Sequence, residues 1–149
     1  MSPDTVFSGA STLALLSWAV LAVSLFLPRL RPATWRITGL AVPLILALAY
    51  VVLLPRGMTQ APQGGFGSIV AVRALFASDF ALTAGWLHYL AFDLFVGTFI
   101  AREGLASRVP ALLILPCLVL TFLFGPAGLL LHVLLKFAIV RRRGQAVAS

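Results

Sequence analysis

The chain has 149 residues, of which 61% are hydrophobic and only 10% charged, and its formal net charge is +7. A water-soluble domain carries roughly a quarter charged residues, so this composition predicts a protein whose outer solvent is lipid. The basic residues form short clusters between apolar segments, which argues against a nucleic-acid partner and favours contact with membrane lipid headgroups.

The length predicts one membrane domain over residues 1–149, because each transmembrane helix needs ~20 residues. The hydrophobic segments predict four spans, at about 9–27, 37–54, 79–101 and 109–136. Residues 28–36 contain two prolines and three arginines and are expected at an interface, and residues 55–67 have loop composition. Pro43 is expected to kink the second span. The single Cys117 excludes a disulfide framework within one chain.

The sequence stays compatible with a helix from Ser68 to Arg102, which is ~50 Å at 1.5 Å per residue and longer than a bilayer core. We therefore predict a short interfacial helix at 68–78 before the third span. Residues 102–108 are predicted to form a polar turn, and the fourth span to continue through Pro116 and Pro126. The predicted fold class is all-α, an integral membrane bundle of four transmembrane helices.

The distribution of basic residues does not orient this four-span bundle. The segments 28–36 and 102–108 would share one side of the membrane and hold five basic residues, and the opposite side would hold about as many. The positive-inside rule therefore leaves the sidedness open.

Ionisable residues inside the predicted spans are the strongest functional signal. An aspartate at the centre of a transmembrane helix costs about 2.5–3.5 kcal/mol, so such residues usually face the interior of a bundle. Helical spacing places Asp79, Trp86 and Asp93 on one stripe, and His88 ~140° away from Asp93 among alanines. His132 shares a face with glycines. Both histidines are thus expected to face helix contacts or a cavity.

Antiparallel pairing of the last two spans predicts a buried pair between Asp79 and His132, with His88 and Asp93 close to the middle of the bilayer. These groups could act as interhelical hydrogen bonds without a catalytic role or form a functional site. Two histidines and a carboxylate could hold a metal only if the bundle narrows. Metal and cofactor requirements stay unknown.

The motif W-L-H-Y-L-A-F-D-L-F-V-G-x-x-x-A-R-E-G-L at 86–105, followed by F-G-P-A-G-L-L-L-H at 124–132, resembles the neoxanthin-synthase-like family of small membrane proteins. Plant members of this family, of the abscisic-acid-deficient type, are required to make neoxanthin from violaxanthin. The resemblance lies mainly within 76–132. It implies an intramembrane rearrangement that opens the epoxide of a carotenoid to an allene without net redox change.

Epoxide opening needs an acid and a base, and the resemblance implies that His88 and Asp93 form that pair. Arg102 and His132 would polarise or orient the oxygen functions. The carotenoid or related isoprenoid would lie between the helices, along aromatic side chains of the third span and beside motif residues of the last span. The implied binding residues are Trp86, Phe92, Phe95, Phe99, Pro126 and Gly128.

Two hypotheses about function remain open. The first is an intramembrane isomerase acting on a carotenoid or isoprenoid, and the second is a non-catalytic bundle that binds such a lipid or stabilises a partner. The composition, rich in Ala, Leu and Arg, favours a bacterial inner membrane, and self-association into a homo-oligomer is compatible with both hypotheses. Ion conduction is less favoured, because the spans are too few for a transporter repeat.

Overall fold

A computed structural model describes residues 2–147, and the side chains of residues 2–139. The described residues form helices and no strand, which confirms the all-α prediction. The helices are α1 (Pro3–Ser24), α2 (Arg31–Arg36), α3 (Val42–Gln60), α4 (Ile69–Leu75), α5 (Asp79–Ala106), α6 (Ala111–Phe124) and α7 (Pro126–Val147). The side chains of Arg141–Arg143 lie outside the described part.

Three segments are long and apolar enough to cross a membrane: Pro3–Ser24, Pro28–Gln60 and Asp79–Ala106. The helices Ala111–Phe124 and Pro126–Ile139 are apolar but shorter. Contacts divide the chain into two units, the first comprising residues 1–15 and 41–92 and the second 16–40 and 93–149. Whether residues 1–149 form a single domain depends on how these units combine, so the single domain stays a prediction.

The second membrane segment, Pro28–Gln60, is a nearly continuous helix with two irregular turns. A 3-10 turn at Pro28–Leu30 leads into α2, and a π-helical turn at Ile37–Ala41 joins α2 to α3. Pro43 comes two residues after this turn and has no N–H to donate, so the irregular turn lies where the helix lacks the hydrogen bond that proline cannot make. The disruption expected at Pro43 thus takes the form of a π turn. The helix ends at Gln60 rather than at the predicted residue 54. Pro55 lies inside α3 and does not end it.

In the first unit, small residues allow two helices to approach closely. A Cβ atom on Gly57 of α3 would come within 2.6 Å of the Ala81 Cβ of α5, so the two backbones are in contact there. The Ser78 hydroxyl donates to the Gln60 amide oxygen at 2.9 Å. The predicted interfacial helix is present as α4, and the Ser68 hydroxyl caps it by accepting from the Ala71 N–H at 3.1 Å.

In the second unit, α1, the π turn and α5 pack through one glycine and two threonines. The Trp18 ring lies directly on Gly97, where any side chain would collide with it. The Thr98 hydroxyl donates to the Thr38 hydroxyl at 2.7 Å and is fully buried with it. Because buried hydroxyls are costly unless they are hydrogen-bonded, this pair fixes the level of the π turn against α5.

The last part of the chain differs most from the sequence prediction. Helix α5 continues to Ala106, so Arg102 and Glu103 belong to its last turns rather than to a polar turn at 102–108. The predicted fourth span, 109–136, is not one helix: it breaks at Gly125, which has φ +52°. Pro126 disfavours the α conformation for the residue before it, and glycine accepts the left-handed φ that results. The proline we expected to kink a span therefore ends α6.

Helices α6 and α7 pack against each other as a hairpin. A Cβ on Gly128 would collide with the Thr121 hydroxyl and the Cys117 carbonyl of α6. A Cβ on Gly125, at the tip of the hairpin, would lie 3.2 Å from the Asp93 carboxylate of α5. Two glycines thus bring the hairpin helices together and seat their tip against α5.

Candidate functional site

A cavity of about 670 Å³ lies in the second unit, beside the last turns of α5. Three of the residues predicted from the sequence line it: Phe95, Phe99 and Arg102. The exposed fractions of Phe95 and Phe99 are 53% and 50%, so each ring offers one open face. The helical spacing i, i+4 explains why these two phenyl rings form one apolar wall.

The lining of this cavity also includes side chains with hydrogen-bond donors. Arg31 and Trp35 come from α2, and both line the cavity with Arg102. The Arg102 guanidinium carbon lies 5.6 Å from the centroid of the Trp35 ring, which is a cation–π arrangement. The buried indole Nε1 of Trp35 has no hydrogen-bond partner among the described residues. No described carboxylate pairs with Arg102.

Arg31 has a structural task in addition to lining the cavity. Its Nε donates to the Ser24 carbonyl at 3.2 Å, and its terminal Nη2 donates to the Leu25 carbonyl at 2.8 Å. These carbonyls stand at the end of α1, where helical acceptors lack intrahelical partners. The two bonds hold the guanidinium in place at the edge of the cavity.

A carboxylate borders the same cavity and is held by three side chains. The Glu103 Oε2 atom lies 2.5 Å from the His132 Nε2 atom, and its Oε1 accepts hydrogen bonds from Lys136 and Ser107. His132 is only 2% exposed, so Glu103 is its anchor at the helix interface. Glu103 itself lines the cavity.

This arrangement corrects the predicted buried pair of Asp79 and His132. Asp79 is exposed at the first residue of α5 and lines a smaller cavity of the first unit. His132 contacts Glu103 instead. The prediction counted residues along an unbroken fourth helix, and the break at Gly125 shifts that count. The sequence prediction does not include Glu103, because it places residues 102–108 in a turn and not in α5.

Asp93 lies at the tip of the hairpin. Its carboxylate is next to Gly125, and α7 begins at the following residue, Pro126. A carboxylate near the N-terminus of a helix is stabilised by the helix dipole and by the free N–H groups of the first turn. The position accounts for an aspartate in an apolar helix without assigning it to catalysis.

The other predicted residues lie outside the large cavity. His88 is exposed rather than directed into the protein interior, and its ring stacks on Phe92 at 4.5 Å and lies 5.9 Å from Tyr50. The Trp86 indole donates to the Ser11 hydroxyl at 2.9 Å instead of forming the floor of a pocket. These residues belong to the first unit, and an exposed aromatic stack replaces the interior contact expected for His88.

The last two predicted binding residues shape the hairpin. Pro126 begins α7 and Gly128 packs on α6, so neither is among the residues that line the cavity. Across the described residues, no group of three His, Cys, Asp or Glu side chains is placed to hold a metal ion. Trp35 and Arg31 carried no sequence signal beyond their position in an arginine-rich segment.

The helices and this cavity define a class: a small helical membrane protein with a cavity lined by aromatic and charged side chains, bordered by a half-buried carboxylate that pairs with a buried histidine. The family model described as ABA DEFICIENT 4-like matches residues 5–132, and the chain therefore belongs to the ABA DEFICIENT 4-like family. The match confirms the resemblance found over 76–132 and extends it to residues 5–75. No curated protein and no solved structure matches the chain.

Proposed function

We propose that this protein acts within the bilayer on a carotenoid or related isoprenoid, and that an oxygen-bearing end group of this substrate binds in the cavity lined by Arg102, Trp35 and Glu103. The observation that carries the proposal is the mixed lining of the cavity. It combines two half-exposed phenyl rings, Phe95 and Phe99, with the guanidinium of Arg102, which pairs with no described carboxylate. A long apolar molecule with an oxygen at its end matches this lining.

Family membership supports the reaction class, an isomerisation by epoxide rearrangement. In this step a base removes a proton from the polyene carbon, its electron pair forms the new double bond, and the carbon–oxygen bond of the epoxide breaks. The oxygen stays bonded to the other carbon of the epoxide as an alkoxide and takes up the proton, so atoms and electrons balance without an oxidant. Glu103 is the base in this scheme, and the protonated Glu103 returns the proton to oxygen.

Arg102 acts on the oxygen, and the Trp35 ring packs beside its guanidinium. A guanidinium stays charged at every relevant pH, so Arg102 stabilises the developing alkoxide by hydrogen bonding and not as a proton donor. Such preorganised donors are worth most in a site from which water is excluded. His132 holds the carboxylate of Glu103 and is a positioning residue. Phe95 and Phe99 contact the polyene chain.

The second candidate is a carotenoid- or lipid-binding protein of the bacterial inner membrane that performs no chemistry. The same cavity residues would bind the ligand, and Glu103 would only anchor α7 through His132. Both functions require a bound pigment or isoprenoid, and only the enzyme requires a titratable carboxylate at residue 103.

The test of the proposed function is purification of the protein from a host that makes epoxy-carotenoids, followed by visible absorption spectroscopy and chromatography of the extracted pigments. We expect a bound pigment and a rearranged product that is absent from cells without the protein. A colourless preparation with an unchanged pigment profile would contradict both candidate functions.

Replacement of Arg102 tests whether its guanidinium binds the oxygen of the ligand. Arg102→Gln removes the charge, so we expect the amount of bound pigment to fall about 10-fold or more, since a hydrogen bond to a charged group contributes about 1.5–3 kcal/mol. Arg56→Gln is the matched control, because Arg56 is exposed in the first unit and makes the same change of charge. Equal pigment content in both variants would show that Arg102 does not bind the ligand.

A further inference from the structure

The direction of the α6–α7 hairpin along α5 has a consequence for membrane topology. Ile114, in the first turns of α6, packs on Gly104 near the end of α5. The tip at Gly125 meets Asp93, and His132 returns to Glu103. The hairpin therefore runs along about ten residues of α5 and comes back to the level at which it began.

The length of α6 agrees with a hairpin that does not cross the membrane. Its 14 residues measure ~21 Å at 1.5 Å per residue, whereas the hydrocarbon core is about 30 Å thick. Non-helical backbone at membrane depth is tolerated where it is buried in protein. Gly125 at the tip is buried against Asp93, as this rule requires.

A returning hairpin changes the charge count that left the orientation open. The second unit contains nine of the eleven basic residues, and the first unit contains only Arg56 and Arg73. We call the cluster of the second unit the basic end: Arg29, Arg31, Arg36, Arg102, Arg108, Lys136 and Arg141–Arg143. A fourth crossing would move Lys136 and the residues after it to the other side, and a hairpin leaves them on the side of Arg102.

Two contacts of the second unit support this grouping. Arg31 and Arg102 line one cavity, although they are far apart in the sequence. Lys136 bonds to Glu103, the neighbour of Arg102 in the last turns of α5. The segment 28–36, the end of α5 and the returning helix α7 therefore meet at one level.

We propose that α6–α7 is a re-entrant hairpin, that the chain crosses the membrane three times, and that the basic end faces the cytoplasm against anionic lipid headgroups. Lysine and arginine accumulate in cytoplasmic segments, and the cytoplasmic leaflet attracts each such residue by about 1 kcal/mol. The cavity then opens at the headgroup level of the cytoplasmic leaflet. This inference does not depend on the reaction proposed above.

Single cysteines test both parts of the inference in the full-length chain. Ala106→Cys reports the end of α5, Gln63→Cys the segment between α3 and α4, and Ser149→Cys the C-terminus. Each variant is labelled with a membrane-impermeant maleimide in bacterial spheroplasts and, separately, in inside-out vesicles. The wild type is the background, because its one cysteine, Cys117, is buried.

We expect the Ser149→Cys and Ala106→Cys variants to react only in inside-out vesicles and the Gln63→Cys variant only in spheroplasts. Reaction of the Ser149→Cys variant from the same side as Gln63→Cys would overturn the hairpin, because it requires a fourth crossing. Reaction of Ser149→Cys and Ala106→Cys together in spheroplasts would overturn the cytoplasmic orientation.

Discussion

Gly128→Ala is expected to prevent the α6–α7 hairpin from forming and to remove most of the folded protein from the membrane. The added methyl group would occupy the space of the Thr121 hydroxyl and of the Cys117 carbonyl oxygen. Overpacking of a core costs about 1–3 kcal/mol when side chains can move. Here backbone atoms are the obstacle, so we expect a cost at or above that range. Total stabilities of about 5–15 kcal/mol make such a loss severe.

The measurement is thermal unfolding in detergent, with the yield of monodisperse protein recorded beside it. Gly9→Ala is the control, because a Cβ at Gly9 meets nothing within 4 Å and alanine favours a helix over glycine by about 1 kcal/mol. We expect this control to be as stable as the wild type or more stable. If Gly128→Ala unfolds at the wild-type temperature, the close packing of α7 on α6 is wrong.

Glu103→Gln is expected to abolish turnover while the protein still folds. Glutamine has the same shape, and its one amide oxygen can still accept a hydrogen bond from an α7 side chain, so part of the helix contact survives. It cannot take up a proton from carbon, and general base catalysis contributes about 100- to 10,000-fold to a rate. A loss of activity in this range, with bound pigment retained, would separate chemistry from binding.

The measurement combines product analysis with the pigment content and melting temperature of the same preparation. Asp4→Asn is the matched control, since Asp4 is an exposed carboxylate near the start of α1 and loses one negative charge in the same way. Retention of full activity by Glu103→Gln would reject the enzyme and leave the binding protein. Loss of pigment without loss of fold would instead make Glu103 a binding residue.

The all-α class, the first three membrane segments and the family followed from the sequence because they depend on local information. Few charged residues predict helices in lipid, since every backbone N–H must be satisfied within its own segment. The family resemblance implied Phe95, Phe99 and Arg102 as site residues, and all three line the cavity. Helical periodicity correctly separated His88 from Asp93, but it did not show that His88 is exposed.

Only the tertiary structure decided which residues meet. Pro126 indicated a disturbance in the last span, and the direction that the chain takes after Gly125 is set by packing on Asp93 and Thr121. Because α7 returns along α5, His132 reaches Glu103 and not Asp79, and the basic residues of three separate segments gather at one level. A sequence determines the face of a helix on which each residue lies. Which neighbour covers that face depends on contacts between residues distant in the chain, and no local pattern encodes them.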